Sequence, residues 1–324
     1  MTTASVVVPS GAEAAEWVPD GPYSLARTIG TLQCGPHDPS FIVQGPDHWL
    51  AFRTPDGPVT LALRQRGSLN DSRVQATAWG PGAACALASL PRLLGADDDW
   101  SAFDAAEFRA TLPDLARKGR YLTPGLRLPS SGRMLDTVAR AVLEQRVTGI
   151  EAKRAWRYLL VRYGDAAPGS GGVGPAALRL PPTAEQWRRV PSWDWHKAGV
   201  DAQRSSTLLK AAHVATGLER LASLPGGDAV RAGLRSVSGI GVWTVAEVVQ
   251  RTHGCPDSIS VGDYHLAAYV GAALTGRRTD DAGMIELLKP WKGQRQRVVR
   301  SLYASGFRKP TFGPRLSPED HRRR

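Results

Sequence analysis

Apolar and polar positions alternate over residues 21–80, then recur at helical spacing over most of the remaining chain. Phe41-Ile42-Val43 and Trp49 to Arg53 flank the turn Gly45-Pro46-Asp47-His48. Asp56-Gly57 marks a hairpin ahead of the alternating Val59, Leu61 and Leu63, and Val74, Ala76 and Ala78 alternate again before Trp79-Gly80-Pro81-Gly82. Period two with glycine and proline between runs predicts an antiparallel sheet with one buried face. Helices are predicted over 82–94 and 101–118. Beyond residue 120 the stripes are helical: Leu135, Val138, Ala139, Val142 and Leu143 lie on one face of 132–146. Thr148 with Glu151, and Thr183 with Gln186, read as capping boxes that start helices. A helix over 204–222, a hairpin unit over 228–252, a helical run over Tyr264–Leu274 and two helices over 280–289 and 291–305 complete the pattern. Residues 168–175 are rich in glycine and read as a mobile loop.

The predicted fold class is α+β: an N-terminal antiparallel sheet domain with helices, then an all-helical core of two subdomains. The divisions are a tail over 1–20, the sheet domain over 21–118, the helical domain over 119–315 and a basic tail over 316–324. Of the 324 residues 42% are hydrophobic, which supports ordinary cores. No run approaches the roughly 20 apolar residues of a membrane span, and no secretory signal is visible at the N-terminus. Cys34, Cys85 and Cys255 are scattered and fit neither a disulfide framework nor a four-cysteine metal site. The expectation is a reduced, cytoplasmic, monomeric protein without a membrane partner.

Charge sharpens the division. The net charge is +11, with −6 in residues 1–115 and +17 in the remainder. A basic second part points to a polyanion. Ser238-Gly239-Ile240-Gly241 then stands out between two helical segments. Two glycines permit a tight turn with close backbone approach, and the following helix begins with free amides that favour a phosphate. Ser238, Gly239, Ile240, Gly241 and Thr244 are therefore candidate DNA contacts. Gln145 and Arg146, in the loop between the first two helices of the basic part, are candidates to fill the hole left by an extruded base; an ordinary exposed loop is the alternative.

Asp263 follows the hairpin by about 20 residues. It serves as a helix N-cap and, equally, as a carboxylate beside a sugar that steadies an oxocarbenium ion and orients water. Trp243, in the first turn after the hairpin, is either a core residue or an aromatic wall on which a cationic base stacks. Tyr264 and Trp291 are further candidates for that wall.

Pro124–Pro129, Ala141–Val147, Gly239–Ala246, Gly262-Asp263-Tyr264 and Lys289-Pro290-Trp291, in this order and spacing, resemble the helix–hairpin–helix DNA glycosylase superfamily, and within it the 3-methyladenine DNA glycosylase II branch. The N-terminal segments 35–39 and 78–82 are similar to that branch's extra sheet domain. The resemblance implies a base-excision enzyme for alkylated purines in double-stranded DNA, with Asp263 at the catalytic aspartate position. Lyase-competent relatives carry a lysine where this chain has Trp243, and indole forms no Schiff base. The resemblance thus implies a monofunctional enzyme, without an iron–sulfur cluster or other cofactor, with a monovalent cation at the hairpin backbone near Gly239 as in relatives. The chain departs from the pattern at Arg146, Glu247 and Arg300. Glu247 either lines the base pocket and attracts a cationic base or pairs with a nearby arginine. A non-catalytic DNA-binding protein and a glycosylase for oxidised or mismatched bases are the rival functions.

Overall fold

The alternation over 41–79 folds as predicted. In the computed structural model, which describes residues 11–310, β1 (Ala12–Trp17), β2 (Phe41–Gln44), β3 (Asp47–Thr54), β4 (Gly57–Arg66) and β5 (Arg73–Trp79) form one antiparallel sheet in the order β1-β5-β4-β3-β2. Leu50 faces Leu61 and Phe52 faces Val59 across β3 and β4, while Leu61 and Leu63 face Ala78 and Ala76 on β5. These side chains are buried against Leu25, Ile29, Ala86 and Leu90 from flanking helices. Gly57, at φ +131°, closes the turn at Asp56-Gly57.

Several elements depart from the sequence pattern. The tail assigned to 1–20 contains β1, whose Ala-Glu-Ala-Ala-Glu-Trp is a poor strand sequence; pairing with β5 along its whole length decides its conformation. The helix predicted over 101–118 is three short ones, Ser101–Asp104, Ala106–Thr111 and Asp114–Leu122, interrupted at Ala105 and at Leu112-Pro113. Proline cannot continue a helix interior, and it pushes its predecessor to extended backbone. Trp100, Phe103, Leu112 and Ala116 join the core of the C-terminal helices rather than that of the sheet. The glycine-rich segment 168–175, predicted as mobile, packs on the outer face of the sheet: Thr60 donates to the Pro168 carbonyl at 2.7 Å, and Gly174 lies against the Trp49 ring. The predicted 204–222 helix breaks at Val214 into Ala202–His213 and Ala215–Arg220. The basic tail over 316–324 lies outside the described residues.

The helical part has two cores. One gathers Met134, Val138, Val142, Trp156, Leu208, Leu234, Val245 and Val249. The other gathers Leu266, Val270, Met284, Trp291, Val298 and Leu302 with the 100–116 side chains. Both capping boxes are formed. Residues 30–40 dock the sheet domain onto the first helical core: Trp156 donates to Asp38 at 2.8 Å, and Arg140 donates to the carbonyl of Leu32 at 2.9 Å. Among the described residues no helix is long and apolar enough to cross a membrane.

Candidate nucleic-acid interface and active site

The hairpin joins the helix Asp228–Arg235 to the helix Val242–Thr252. Gly239 has φ +98°, and a Cβ there would lie 2.1 Å from the Thr207 hydroxyl oxygen, so both the turn and its fit demand glycine. Ile240 plugs into the core, while Ser238, Gly239, Gly241 and Val242 are exposed. No side chain caps the first turn of the second helix. Its amides face outward without a side-chain acceptor, as a phosphate-binding end requires. Lys210 reaches Ser238 at 3.4 Å and adds a cation to this edge.

The loop carrying Gln145 and Arg146 is tied to the hairpin. Gln145 Nε2 donates to the Gly239 carbonyl at 3.1 Å and to the Thr244 hydroxyl at 2.8 Å. Thr244 is buried, so its side chain braces this junction rather than projecting towards a ligand. A cation at the hairpin would share the Gly239 carbonyl with Gln145. Arg146 is exposed and has φ +54°, alone among the non-glycine residues described in having a positive φ. Left-handed backbone costs an ordinary residue about 1–2 kcal/mol, and such strain concentrates where a side chain must be aimed.

Trp243 and Asp263 meet. The indole Nε1 donates to Asp263 Oδ2 at 3.3 Å, while Oδ1 accepts the amides of His265 and Leu266 at 2.8 and 2.9 Å. The carboxylate thus caps the helix Leu266–Thr275, which starts two residues later than predicted, and both sequence-level roles of Asp263 are compatible. The preceding turn is held by Gly262 N–H donating to Asp281 at 3.1 Å. Asp263 stands at the head of the second helical core and Trp243 on the edge of the first, so the pair lies where the two cores meet.

The other candidates separate. Tyr264 is 77% exposed, and its ring meets His265 edge-on at 4.8 Å. Trp291 is buried in the second helical core and donates to the Thr111 hydroxyl at 3.1 Å, which places it in packing. Glu247 pairs with Arg251 at 2.7 Å and accepts the Ser260 hydroxyl. Burial opposes its ionisation, but the Arg251 guanidinium and the Ser260 hydrogen bond outweigh it and hold the carboxyl below its ordinary pKa. Of the two readings of Glu247, pairing is the one observed. Arg251 also donates to the Thr31 carbonyl at 3.2 Å, so the sheet domain supports this pair from below.

Sequence reasoning missed Tyr303, which stacks on Tyr269 at 4.4 Å. Burial, and then the Asp263 carboxylate, push its phenol up to about 12, which puts Tyr303 within electrostatic reach of the catalytic candidate. Its place one helical turn beyond Arg300 was the available signal.

No family model matches the chain, and no curated protein matches it in sequence. Solved structures do. The 3-methyladenine DNA-glycosylase from Archaeoglobus fulgidus superposes with TM-score 0.74 at 15% identity, covering 90% of this chain and 99% of that one. This chain has the helix–hairpin–helix DNA glycosylase fold. The glycosylase fold is shared with the 8-oxoguanine glycosylase/lyase of Clostridium acetobutylicum, at TM-score 0.65, 10% identity, and 90% and 96% coverage. It is shared more loosely with the Schizosaccharomyces pombe 3-methyladenine DNA glycosylase in complex with abasic DNA, at TM-score 0.50, 16% identity, and 63% and 97% coverage.

Proposed function

We propose that this protein is a monofunctional DNA glycosylase, a monomer of the cytoplasm that removes alkylated purines such as 3-methyladenine or 7-methylguanine from double-stranded DNA in base excision repair. The observation that carries this reading is the Trp243–Asp263 contact beside an uncapped hairpin helix.

Phosphates engage the amides after Gly241 and the basic surface of the helical part. The damaged nucleotide rotates out of the duplex, and Arg146, on its strained loop, enters the space left behind. The Trp243 ring stacks on the base. Asp263, which accepts hydrogen bonds from two amides and one indole, stabilises positive charge on the deoxyribose as the C1′–N bond breaks. The bonding pair leaves with the base; water then adds to C1′ and gives up a proton, leaving an abasic site. An alkylated, cationic base leaves as a neutral molecule and needs no strong acid. Trp243 provides no amine to attack C1′, which supports base release without strand cleavage. The reaction as proposed uses no cofactor.

Incubation of methylated duplex DNA with the purified protein, followed by chromatography of free bases, tests this directly. Release of methylated purines by wild type but not by Asp263→Asn is the expected result. Strand cleavage without added base or heat would overturn the monofunctional assignment. No release from any damaged duplex, with binding intact, would leave a DNA-binding protein without catalysis.

A further inference from the structure

The last helix, Arg295–Ala304, touches the second hairpin helix at Gln296 and Gln250. Gln296 Nε2 donates to Gln250 Oε1 at 2.9 Å and fixes one level of that contact. One turn onward on the last helix is Arg300 and one turn back on the hairpin helix is Glu247. A further turn reaches Tyr303 and Trp243 respectively. Residues three or four apart share a helix face, Arg300 feels the charges of Glu247 and Arg251, and Tyr303 feels those of Glu247 and Asp263, so these levels lead from the glutamine pair towards the Trp243–Asp263 contact. Arg300 occupies the level between them.

Arg300 is unusual there. Glu247 is taken by Arg251 and Ser260. Among the described residues Arg300 makes no ion pair or hydrogen bond, and its buried Nε has no partner. Burial and the like charge of Arg251 pull its pKa down to about 10, so it stays cationic at neutral pH. A guanidinium has five donor hydrogens and no acceptor, and half-buried Arg300 keeps one of them, on Nε, shut off from water without an acceptor. An acceptor arriving with the substrate supplies that partner.

We propose that Arg300 is a specificity-determining residue that donates to a carbonyl oxygen on the extruded purine, so that the site favours 6-oxopurines over 6-aminopurines. This inference rests on the glycosylase reading above. A 6-oxopurine such as 7-methylguanine or hypoxanthine presents O6, an acceptor. A 6-aminopurine such as 3-methyladenine presents an amino donor in its place, leaving Arg300 unpaired and two donors in opposition. One such polar contact discriminates by about ten- to hundredfold.

Duplex DNA treated with a methylating agent carries both lesions in one sample, and a duplex with a single hypoxanthine supplies a neutral one. Single-turnover base release is compared for wild type, Arg300→Met and Arg300→Lys. Arg300→Met should lower the ratio of 7-methylguanine to 3-methyladenine release by about ten- to hundredfold and depress hypoxanthine release, with Arg300→Lys intermediate. Equal losses on all three lesions, paralleled by weaker binding to an abasic duplex, would assign Arg300 to a backbone phosphate and overturn the proposal. Wild-type release of 3-methyladenine with an unchanged ratio in Arg300→Met would also overturn it while leaving the glycosylase standing. Release of no base by wild type would instead remove the glycosylase reading. A thermal melt confirms that each variant is folded.

Discussion

Arg297 and Arg300 lie three residues apart on the last helix, and the protein treats them oppositely. Arg297 pairs with Asp98, both side chains 5% exposed or less, and its guanidinium stacks over Trp100 at 4.8 Å. Asp98 in turn accepts the Trp100 indole at 2.6 Å and the Leu128 amide. That cluster joins the 98–128 segment to the C-terminal helices. Arg300 has no such company. A buried charge that serves the fold comes with its partner built in, because the desolvation cost must be offset in the resting state. Arg300 keeps its charge without an ion pair near Glu247, whose carboxylate is taken by Arg251, and so stays open to an incoming acceptor. The aspartates divide in the same way: Asp98 engages both oxygens inside the protein, whereas Asp263 caps a helix with one and turns the other towards Trp243 at the junction of the cores.

Replacing each aspartate in turn separates their roles most sharply. Asp263→Asn should lower base release by on the order of 10³-fold or more, because the proposed mechanism loses the charge that stabilises the sugar cation. Asparagine still caps a helix well, so its melting temperature and duplex affinity should stay close to wild type. An Asp263→Asn protein that fails to fold, or that releases base normally, breaks the comparison. Asp98→Ala should do the reverse, costing about 3–5 kcal/mol in chemical denaturation by stranding Arg297. Arg300→Met, tested by the same denaturation, should cost nothing or stabilise the protein, since it removes a charge with no partner.

Smaller effects refine the picture. Gln145→Ala removes two hydrogen bonds between the Arg146 loop and the hairpin. At about 1 kcal/mol net per bond it should cost up to about 2 kcal/mol in chemical denaturation, and by loosening the Arg146 loop it should weaken duplex binding in a fluorescence titration. Last, Asp194 accepts hydrogen bonds from Tyr158 and Tyr163 and a salt bridge from Arg162, which hold its carboxyl at about 2. A depressed carboxylate pKa gives stability that is complete above the unfolded value of about 3.9 and is lost as pH falls through about 2. Asp194→Asn should therefore flatten the acid limb of the urea midpoint between about pH 4 and 2.

Much of this molecule is legible in short-range pattern. The alternation over 41–79, the capping boxes at Thr148 and Thr183, and the glycine pair around Ile240 each report geometry fixed within a few residues, and each folds as its pattern predicts. Asp263 and Trp243 stand out by residue type and spacing alone. The candidate wall is only partly legible, since an aromatic residue reads the same whether it packs, like Trp291, or stands exposed, like Tyr264.

The rest was decided by contacts between distant segments. Ala12–Trp17 is a strand only because β5 offers an edge, and the 101–116 helices belong to the C-terminal core only because that core presents an apolar face to them. Whether Glu247 faces a pocket or an arginine, and whether Arg300 has a partner, depends on which groups arrive from other helices. Periodicity and capping are local and leave a mark in neighbouring letters. Pairing of charges across helices is a property of three-dimensional arrangement and leaves none.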